Sequence, residues 1–225
     1  MKKIIDTILY YDEVLILDLR LNILNKHIDH FVILECNYDF NGAYKGYNFD
    51  IQNFIKFKDK IIYIKLDLSK EIHLVKNNGW LVHDRSRDAI INSLEFVKDE
   101  DIVIHSDADE IPNETLLKNL PTILENNPEN EVYLVPRVNT VEGLTQEHIN
   151  KWGWNVNDKG WVNFPDYQWR VWKNLPDIKW INKVHEVLDG HKTYSALPSD
   201  ERLSIYHPKT IDKQEKQNAY YGTLQ

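Results

Sequence analysis

Hydrophobic and polar positions alternate in blocks along the first half of the chain, and these blocks predict alternating strands and helices. The second strand-like run, HFVILEC, is nearly continuous in apolar character, which is typical of a strand buried on both faces. Short apolar runs of this kind predict strands at 3–10, 30–36, 60–66, 101–104 and 132–138.

Helical periodicity lies between the predicted strands. Apolar residues at 14, 17, 21 and 24 share one helix face after Asp12-Glu13. A second helix is expected from Asp84, as its N-cap, through RDAIINSLEFV, and a third over Asn113–Leu120 after Pro112. Strands that alternate with helices indicate an α/β fold with a mostly parallel central sheet flanked by helices.

The second half of the chain has a different residue composition. Six of the seven tryptophans lie between 152 and 180 among Asn, Asp and Lys, which favours a small antiparallel β region over a second doubly wound unit. The polar tail from 210 to 225 predicts a short surface helix. Without a repeat or a clear linker, residues 1–225 are expected to form one domain.

Composition narrows the classes of partner. A net charge of −8 gives no basic field for nucleic acid, so no nucleic-acid partner is expected. The single cysteine, Cys36, excludes an intrachain disulfide and a thiolate metal cluster. No window approaches the roughly 18 apolar residues of a membrane span, and no signal-peptide pattern opens the chain. We therefore expect a cytoplasmic protein without a membrane span.

A carboxylate pair follows the strand at 101–104. Ligands of open α/β sheets bind beyond the carboxyl ends of the strands, and Asp107 and Asp109 are two apart, so both can reach one hard cation such as Mn²⁺ or Mg²⁺. A solvated acidic turn is the bland alternative, but the preceding strand and the following Glu110-Ile111-Pro112 favour a metal site. An EF-hand loop is excluded because Pro112 and Lys118 stand where Gly and Glu are required.

Several motifs occur in a recognisable order: DEVLILDLRLNIL, FVILECNYDFNG, RSRDAII and DIVIHSDADEIP. Over roughly residues 4–112 they resemble the GT-A fold glycosyltransferases, particularly those related to the bisecting β-1,4-N-acetylglucosaminyltransferase family. The later segment YQWRVWKNLPDIKWINKVHEVLDG, with IYHPK after it, resembles inverting enzymes of the family-two type. The resemblance implies a GT-A domain with a nucleotide-sugar-binding half, 1–112, and an acceptor-binding half, 113–225.

The resemblance also implies roles for particular residues. Asp109 and His207 would join Asp107 as metal ligands. The residues implied in donor binding are Tyr10, Tyr11, Glu35, Arg87, Asp107, Arg170 and His185. Two of them have an equally good structural interpretation: Glu35 could pair with a lysine at the sheet rim, and Arg170 could form a structural ion pair.

A metal-dependent transferase that inverts the anomeric centre needs one base to remove the acceptor proton. Glu186 is the first candidate and Asp166 the second, while a retaining outcome stays open. The donor is expected to be a UDP-sugar, with UDP-N-acetylglucosamine implied by the resemblance and UDP-glucose, UDP-galactose and GDP sugars left open. The acceptor is expected to be a glycan or glycoconjugate, and one or two of the six clustered tryptophans could stack on it.

Two other functions compete with this interpretation. A sugar-phosphate nucleotidyltransferase would carry a glycine-rich, basic loop after its first strand, where this chain has YYDEV. A non-catalytic carbohydrate-binding module could use the tryptophans but has no need of the carboxylate pair.

Overall fold

The computed structural model describes residues 2–75, 80–182 and 186–223, the last four through their backbone alone. Its helices are α1 (Val14–Leu24), α2 (Leu81–Asn92), α3 (Glu114–Asn126), α4 (Gln146–Trp152) and α5 (Ile211–Thr223), with 3-10 turns at Ile51–Phe57, Ile72–Leu74 and Glu201–Leu203. Its strands are β1 (Ile4–Leu9), β2 (His30–Cys36), β3 (Ile61–Leu66), β4 (Ile102–Asp107), β5 (Ile111–Pro112), β6 (Val132–Glu142), β7 (Tyr167–Lys173), β8 (Lys179–Ile181), β9 (Val187–Asp189), β10 (Tyr194–Ala196) and β11 (Ile205–Thr210).

One large mixed sheet connects both halves of the described chain, in the order β3-β2-β1-β4-β7-β6-β11-β5, with β10 alongside β6. Strands β3, β2, β1 and β4 are parallel, so their carboxyl ends meet at one edge. Strand β7 is inserted antiparallel between β4 and β6, and β11 returns parallel to β6. Strands β8 and β9 form a separate hairpin. The α/β class and the largely parallel sheet predicted from the sequence are thus confirmed.

Helices and the hairpin cover the two faces of the sheet. Alternate residues of β1 face opposite ways: Ile4 and Ile8 join a core with α1 and α3, and Ile5 joins a second core with α2. Three of the clustered tryptophans, Trp169, Trp172 and Trp180, pack in or against that second core. The second half of the chain therefore contributes large side chains to a core on the same sheet as the strands of the first half.

Several boundaries differ from the sequence prediction. Helix α2, expected through Val97, ends at Asn92, and β6, expected to end at Val138, continues to Glu142. Helix α2 begins at Leu81, three residues before the expected N-cap Asp84, and Trp80 at its cap position makes no side-chain capping bond. Helix α3 continues past Pro121 to Asn126, because Leu116, Leu117, Leu120 and Leu124 bury one apolar face. Strand β4 continues to Asp107, paired residue by residue with β1. No helix within the described ranges combines the length and hydropathy needed to cross a bilayer.

Candidate active site

A pocket of about 710 Å³ opens at the carboxyl ends of the parallel strands. Tyr10 and Tyr11 follow β1 at one side of it, and Asp107 ends β4 on its floor. The far side is built by β6, β11 and α5, which contribute Asn139 and His207 among others. Residues from both halves of the chain thus line one cavity, in the position where open α/β sheets bind ligands.

The residues 107–110, here called the acidic turn, are held from behind by Arg20 of α1. The Arg20 guanidinium donates to the backbone carbonyls of Asp107 (3.1 Å) and Glu110 (2.6 Å) and to Ser106 Oγ (2.8 Å). Its remaining donors form a bidentate pair with Asp6 at 2.6 and 2.8 Å, and both side chains are fully buried. Arg20 thus fixes the acidic turn to α1 through charge-assisted hydrogen bonds.

Glu110 is the centre of a buried charge cluster beneath the pocket. It pairs with Arg137 at 2.5 Å and with Arg170 at 3.0 Å. Burial opposes ionisation, but the two guanidiniums hold the pKa of the Glu110 carboxyl well below its usual range. Arg170 lines the pocket and also has the structural ion pair that was its alternative interpretation.

The two aspartates of the acidic turn differ in their surroundings. The Asp107 side chain is exposed to the pocket and, among the described residues, its carboxylate has no hydrogen bond or ion pair. Desolvation by the surrounding walls and the negative charge of Glu110 raise its pKa, against the opposite effect of Arg170 and Arg87. Asp109 instead holds the Lys213 ammonium of α5 at 2.6 Å. Among the described residues, the Asp107 carboxylate is therefore unpaired, whereas the Asp109 carboxylate forms an ion pair with Lys213.

His207 of β11 faces Asp109 in a defined tautomer. Asn139 Nδ2 donates to Asp166 Oδ2 (2.7 Å), so Asn139 Oδ1 is left to accept from His207 Nδ1 (3.0 Å). Burial, with Arg137 and Lys209 nearby, lowers the pKa of His207 to about 4. The neutral ring therefore turns the lone pair of Nε2 toward Asp109 Oδ2, 3.8 Å away.

Arg87 of α2 lies on the opposite wall and pairs with Glu186 at 2.8 Å. It also donates to His83 Nδ1 at 2.7 Å, so His83 carries its proton on Nε2. Burial and the adjacent Arg87 charge lower the pKa of His83 to about 3. Arg87 and Glu186 both line the pocket, whereas His185 lies outside the described residues.

Glu35 does not reach the pocket surface. Its fully buried carboxylate accepts from Lys45 Nζ (2.5 Å), the Tyr63 hydroxyl (2.7 Å) and the backbone N–H groups of Asn48 and Phe49. The lysine pairing considered as its alternative interpretation is therefore what the structure shows. Glu35 fixes a loop from which Lys45 itself lines the pocket.

Tyr10 presents a hydroxyl without a partner. The side chain is 4% exposed, lines the pocket, and has no hydrogen-bond partner for its Oη among the described residues. Burial, with Glu35, raises the pKa of Tyr10 to about 12, so the hydroxyl remains a donor at neutral pH. Beside it, Tyr11 lies 38% exposed with Lys45 Nζ 5.1 Å from its ring centre.

One of the six clustered tryptophans, Trp154, lines the pocket. Its ring lies 4.6 Å from that of Trp152, which packs on His148. Trp161 lies against Phe164 and beneath Lys159, away from the cavity. Trp154 is therefore the member of the cluster placed to contact a ligand.

Most of the residues singled out from the sequence meet in this one pocket; they are Tyr10, Tyr11, Arg87, Asp107, Asp109, Asp166, Arg170, Glu186 and His207. The sequence reasoning missed Glu110, Arg137, Asn139, Lys45, Lys209 and Lys213. Two of these had a visible signal: Glu110 directly follows the carboxylate pair, and Lys209 closes the quoted IYHPK motif.

A carboxylate pair above a cluster of cations, at the carboxyl edge of an α/β sheet, suits an enzyme that transfers a group from a phosphate-bearing substrate. A family model described as glycosyltransferase family 17 matches residues 1–133, more than half of the chain. The chain belongs to glycosyltransferase family 17 and is a glycosyltransferase. This assignment sets aside the nucleotidyltransferase and the non-catalytic binding module.

No curated protein matches this sequence. Among solved structures, the crystal structure of mannose-6-phosphate isomerase from Helicobacter pylori is similar over 92% of this chain and 97% of that chain, with 9% identity and a TM-score of 0.38. A likeness that weak has no bearing on fold family or function.

Proposed function

We propose that the protein is a metal-dependent GT-A glycosyltransferase that moves a sugar from a UDP-sugar, with UDP-N-acetylglucosamine the first candidate, to a hydroxyl of a glycan or glycoconjugate, with inversion. The observation that carries the proposal is the acidic turn: Asp107 offers an unpartnered carboxylate to the pocket, while Asp109 already binds a cation, Lys213. Such a turn suits a ligand that brings both a metal ion and phosphates.

The chemical types of the side chains at the acidic turn suit a hard divalent ion. Carboxylates of Asp107 and Asp109 and the Nε2 lone pair of His207 are ligands that Mn²⁺ and Mg²⁺ accept. Within the described chain, no three His, Cys, Asp or Glu side chains are grouped closely enough to hold an ion as they stand. An ion held by Asp109 would take the place of the Lys213 ammonium, which pairs with that carboxylate at 2.6 Å. A bound ion would neutralise the diphosphate of the departing nucleotide.

Cations beside the acidic turn are suited to the diphosphate itself. Lys209 donates to Gln217 Oε1 at 2.6 Å and has no carboxylate partner among the described residues. Burial, with Arg137 and Lys213 nearby, lowers its pKa, so a phosphate oxygen would relieve the repulsion. Lys213, once released from Asp109, is a second cation for the same group. The Tyr10 hydroxyl and the Tyr11 ring would contact the nucleoside.

The geometry favours Glu186 over Asp166 as the base. Both oxygens of Asp166 are engaged, Oδ2 by Arg137 and Asn139 and Oδ1 by Gln168. Only Oε1 of Glu186 is paired, to Arg87, and no described residue donates to Oε2. Asp166 has no oxygen left to face an acceptor hydroxyl, so it is better suited to position the Asn139–His207 pair. Trp154, on the same pocket, offers a face for an acceptor sugar ring.

Nucleotide release from a panel of nucleotide sugars, with Mn²⁺, with Mg²⁺ and with a chelator, tests this function. Release that requires the metal and is abolished by Asp109→Ala supports it. Asp99→Ala is the matched control, because Asp99 is exposed and distant from the lining of the pocket. Metal-independent release, or full activity of Asp109→Ala, would overturn the metal assignment.

A further inference from the structure

Helix α1 carries large apolar side chains on its outer side as well as on the side that is buried. Leu17, Leu21 and Leu24 are buried against the sheet. On the outer side, Leu15 is 84% exposed, Leu19 48% and Ile23 37%. Neighbouring large apolar side chains that stay exposed together often mark a surface that a partner covers. These three outer residues are four apart and form a continuous stripe along the helix, here called the α1 stripe.

The charges at the two ends of the stripe are opposite. Asp12 precedes the helix and is exposed, with no side-chain partner among the described residues. Lys26 follows the helix, and its side chain is 64% exposed although it pairs with Glu114. Asp12 lies two residues before the first residue of α1 and Lys26 two residues after the last, each seven positions from Leu19, so the two charges stand at opposite ends of the helix that carries the stripe.

This spacing is self-complementary about Leu19. When two α1 helices pack antiparallel across a two-fold axis at Leu19, Leu15 of one meets Ile23 of the other. The same axis brings Asp12 of one copy to Lys26 of the other, twice per pair. In a parallel arrangement like charges would meet instead. The arrangement of apolar and charged positions therefore fits a second copy of this chain.

We propose that the protein forms a homodimer through the α1 stripe, with antiparallel helices centred on Leu19. A lipid surface is a poorer fit, because Lys26 at one end of the stripe is balanced by Asp12 and Asp18 and the chain carries a net charge of −8, whereas anionic bilayers attract basic segments. The dimer does not depend on the proposed donor, metal or base.

Analytical ultracentrifugation of the full chain tests the dimer. The mass should approach twice 26.7 kDa with increasing concentration. Leu19→Glu should raise the dissociation constant about 100-fold, since it places two carboxylates on the axis. Leu19 is exposed, so this variant should keep its circular dichroism spectrum. Phe96→Glu is the matched control, because Phe96 is 44% exposed but lies away from α1, and it should dimerise normally.

Charge exchange tests the antiparallel arrangement. Asp12→Lys and Lys26→Asp should each weaken the dimer about tenfold, and the double variant should recover most of the affinity. A monomer at all concentrations would overturn the proposal, and so would a dimer that Leu19→Glu leaves intact. A monomer that sediments with phosphatidylcholine–phosphatidylglycerol vesicles would assign the stripe to a lipid surface instead. A double variant weaker than both single variants would overturn the antiparallel pairing.

Discussion

Replacing Arg20 by methionine tests how the acidic turn is held. The substitution keeps a long apolar stem but removes the guanidinium that binds Asp6 and the carbonyls of Asp107 and Glu110. Asp6 would be left as a fully buried carboxylate without its counter-charge. We expect Arg20→Met to be destabilised and to lose the geometry of the turn at the same time.

The structure allows the size of the effect to be estimated. Breaking one side of a buried ion pair costs about 3–5 kcal/mol. The turn carbonyls lose donors as well, so a loss of about 4 kcal/mol is a conservative expectation. For a chain of this length that corresponds to a fall in Tm of roughly 8–16 °C. Misplacement of the turn by about 1 Å should lower kcat/KM about 100-fold.

A second substitution separates stability from geometry. The double variant Arg20→Met with Asp6→Leu removes both buried charges, so it should regain at least half of the lost stability. It cannot restore the donors to the turn, so its activity should stay about 100-fold low. Urea unfolding followed by circular dichroism gives the first quantity and nucleotide release the second. Recovery of full activity in the double variant would refute the role of Arg20 in holding the turn.

Three further predictions concern the pocket. Because the pKa of His83 is lowered to about 3, the neutral ring stabilises the fold fully above about pH 6.5, and this contribution is lost as the pH falls toward 3. The variant His83→Asn keeps an acceptor for the guanidinium, and its free energy of unfolding in urea should depend less steeply on pH between pH 6.5 and 4, by up to about 1.4 kcal/mol per pH unit. An unchanged slope of unfolding free energy against pH would contradict this prediction. Lys209→Met should raise the donor KM about tenfold or more in steady-state kinetics, whereas the exposed Lys192→Met should not, and equal values for the two would exclude a phosphate contact. Trp154→Ala should raise the acceptor KM about tenfold while Trp161→Ala leaves it near wild type; the reverse order would move the acceptor elsewhere.

The sequence alone predicts which strand ends form the ligand-binding edge of the sheet and most of the residues that line the pocket. Strands β1 and β2 are short apolar runs whose pattern is local, and the carboxyl ends of parallel strands meet wherever they are joined by helices. The position of Asp107 and Asp109 in the pocket could be predicted from that rule alone. A prediction of this kind needs only spacing and the position of a strand end.

Contacts between residues far apart in the chain account for the features that could not be predicted from the sequence. Strand β4 was expected to end at Ile104, because His105, Ser106 and Asp107 are polar. Its polar end is paired with β1, where Thr7 Oγ1 is hydrogen-bonded to His105 Nδ1 and the Arg20 guanidinium donates to Ser106 Oγ. These contacts join positions 86 to 98 residues apart. Buried polar groups of this type cost little only once their partners are in place.

Glu35 and Glu110 show the same limit in opposite directions. Glu35 ends a strand, as a ligand-binding carboxylate would, yet four donors from a later loop and from β3 satisfy it completely. In the sequence Glu110 merely follows the carboxylate pair, yet in the structure it forms ion pairs with Arg137 and Arg170 beneath the pocket. Residue type and spacing do not reveal which carboxylate meets an arginine from the distant half of the chain.

The central claim is that the acidic turn binds a nucleoside diphosphate together with a divalent ion. Isothermal titration of UDP into the protein, in Mn²⁺ and then in a chelator, tests it most directly, with Asp107→Asn compared against Asp99→Asn. We expect UDP to bind in Mn²⁺, and binding to be lost in the chelator and in Asp107→Asn but kept in Asp99→Asn. Equal UDP affinity in all four cases would contradict the account.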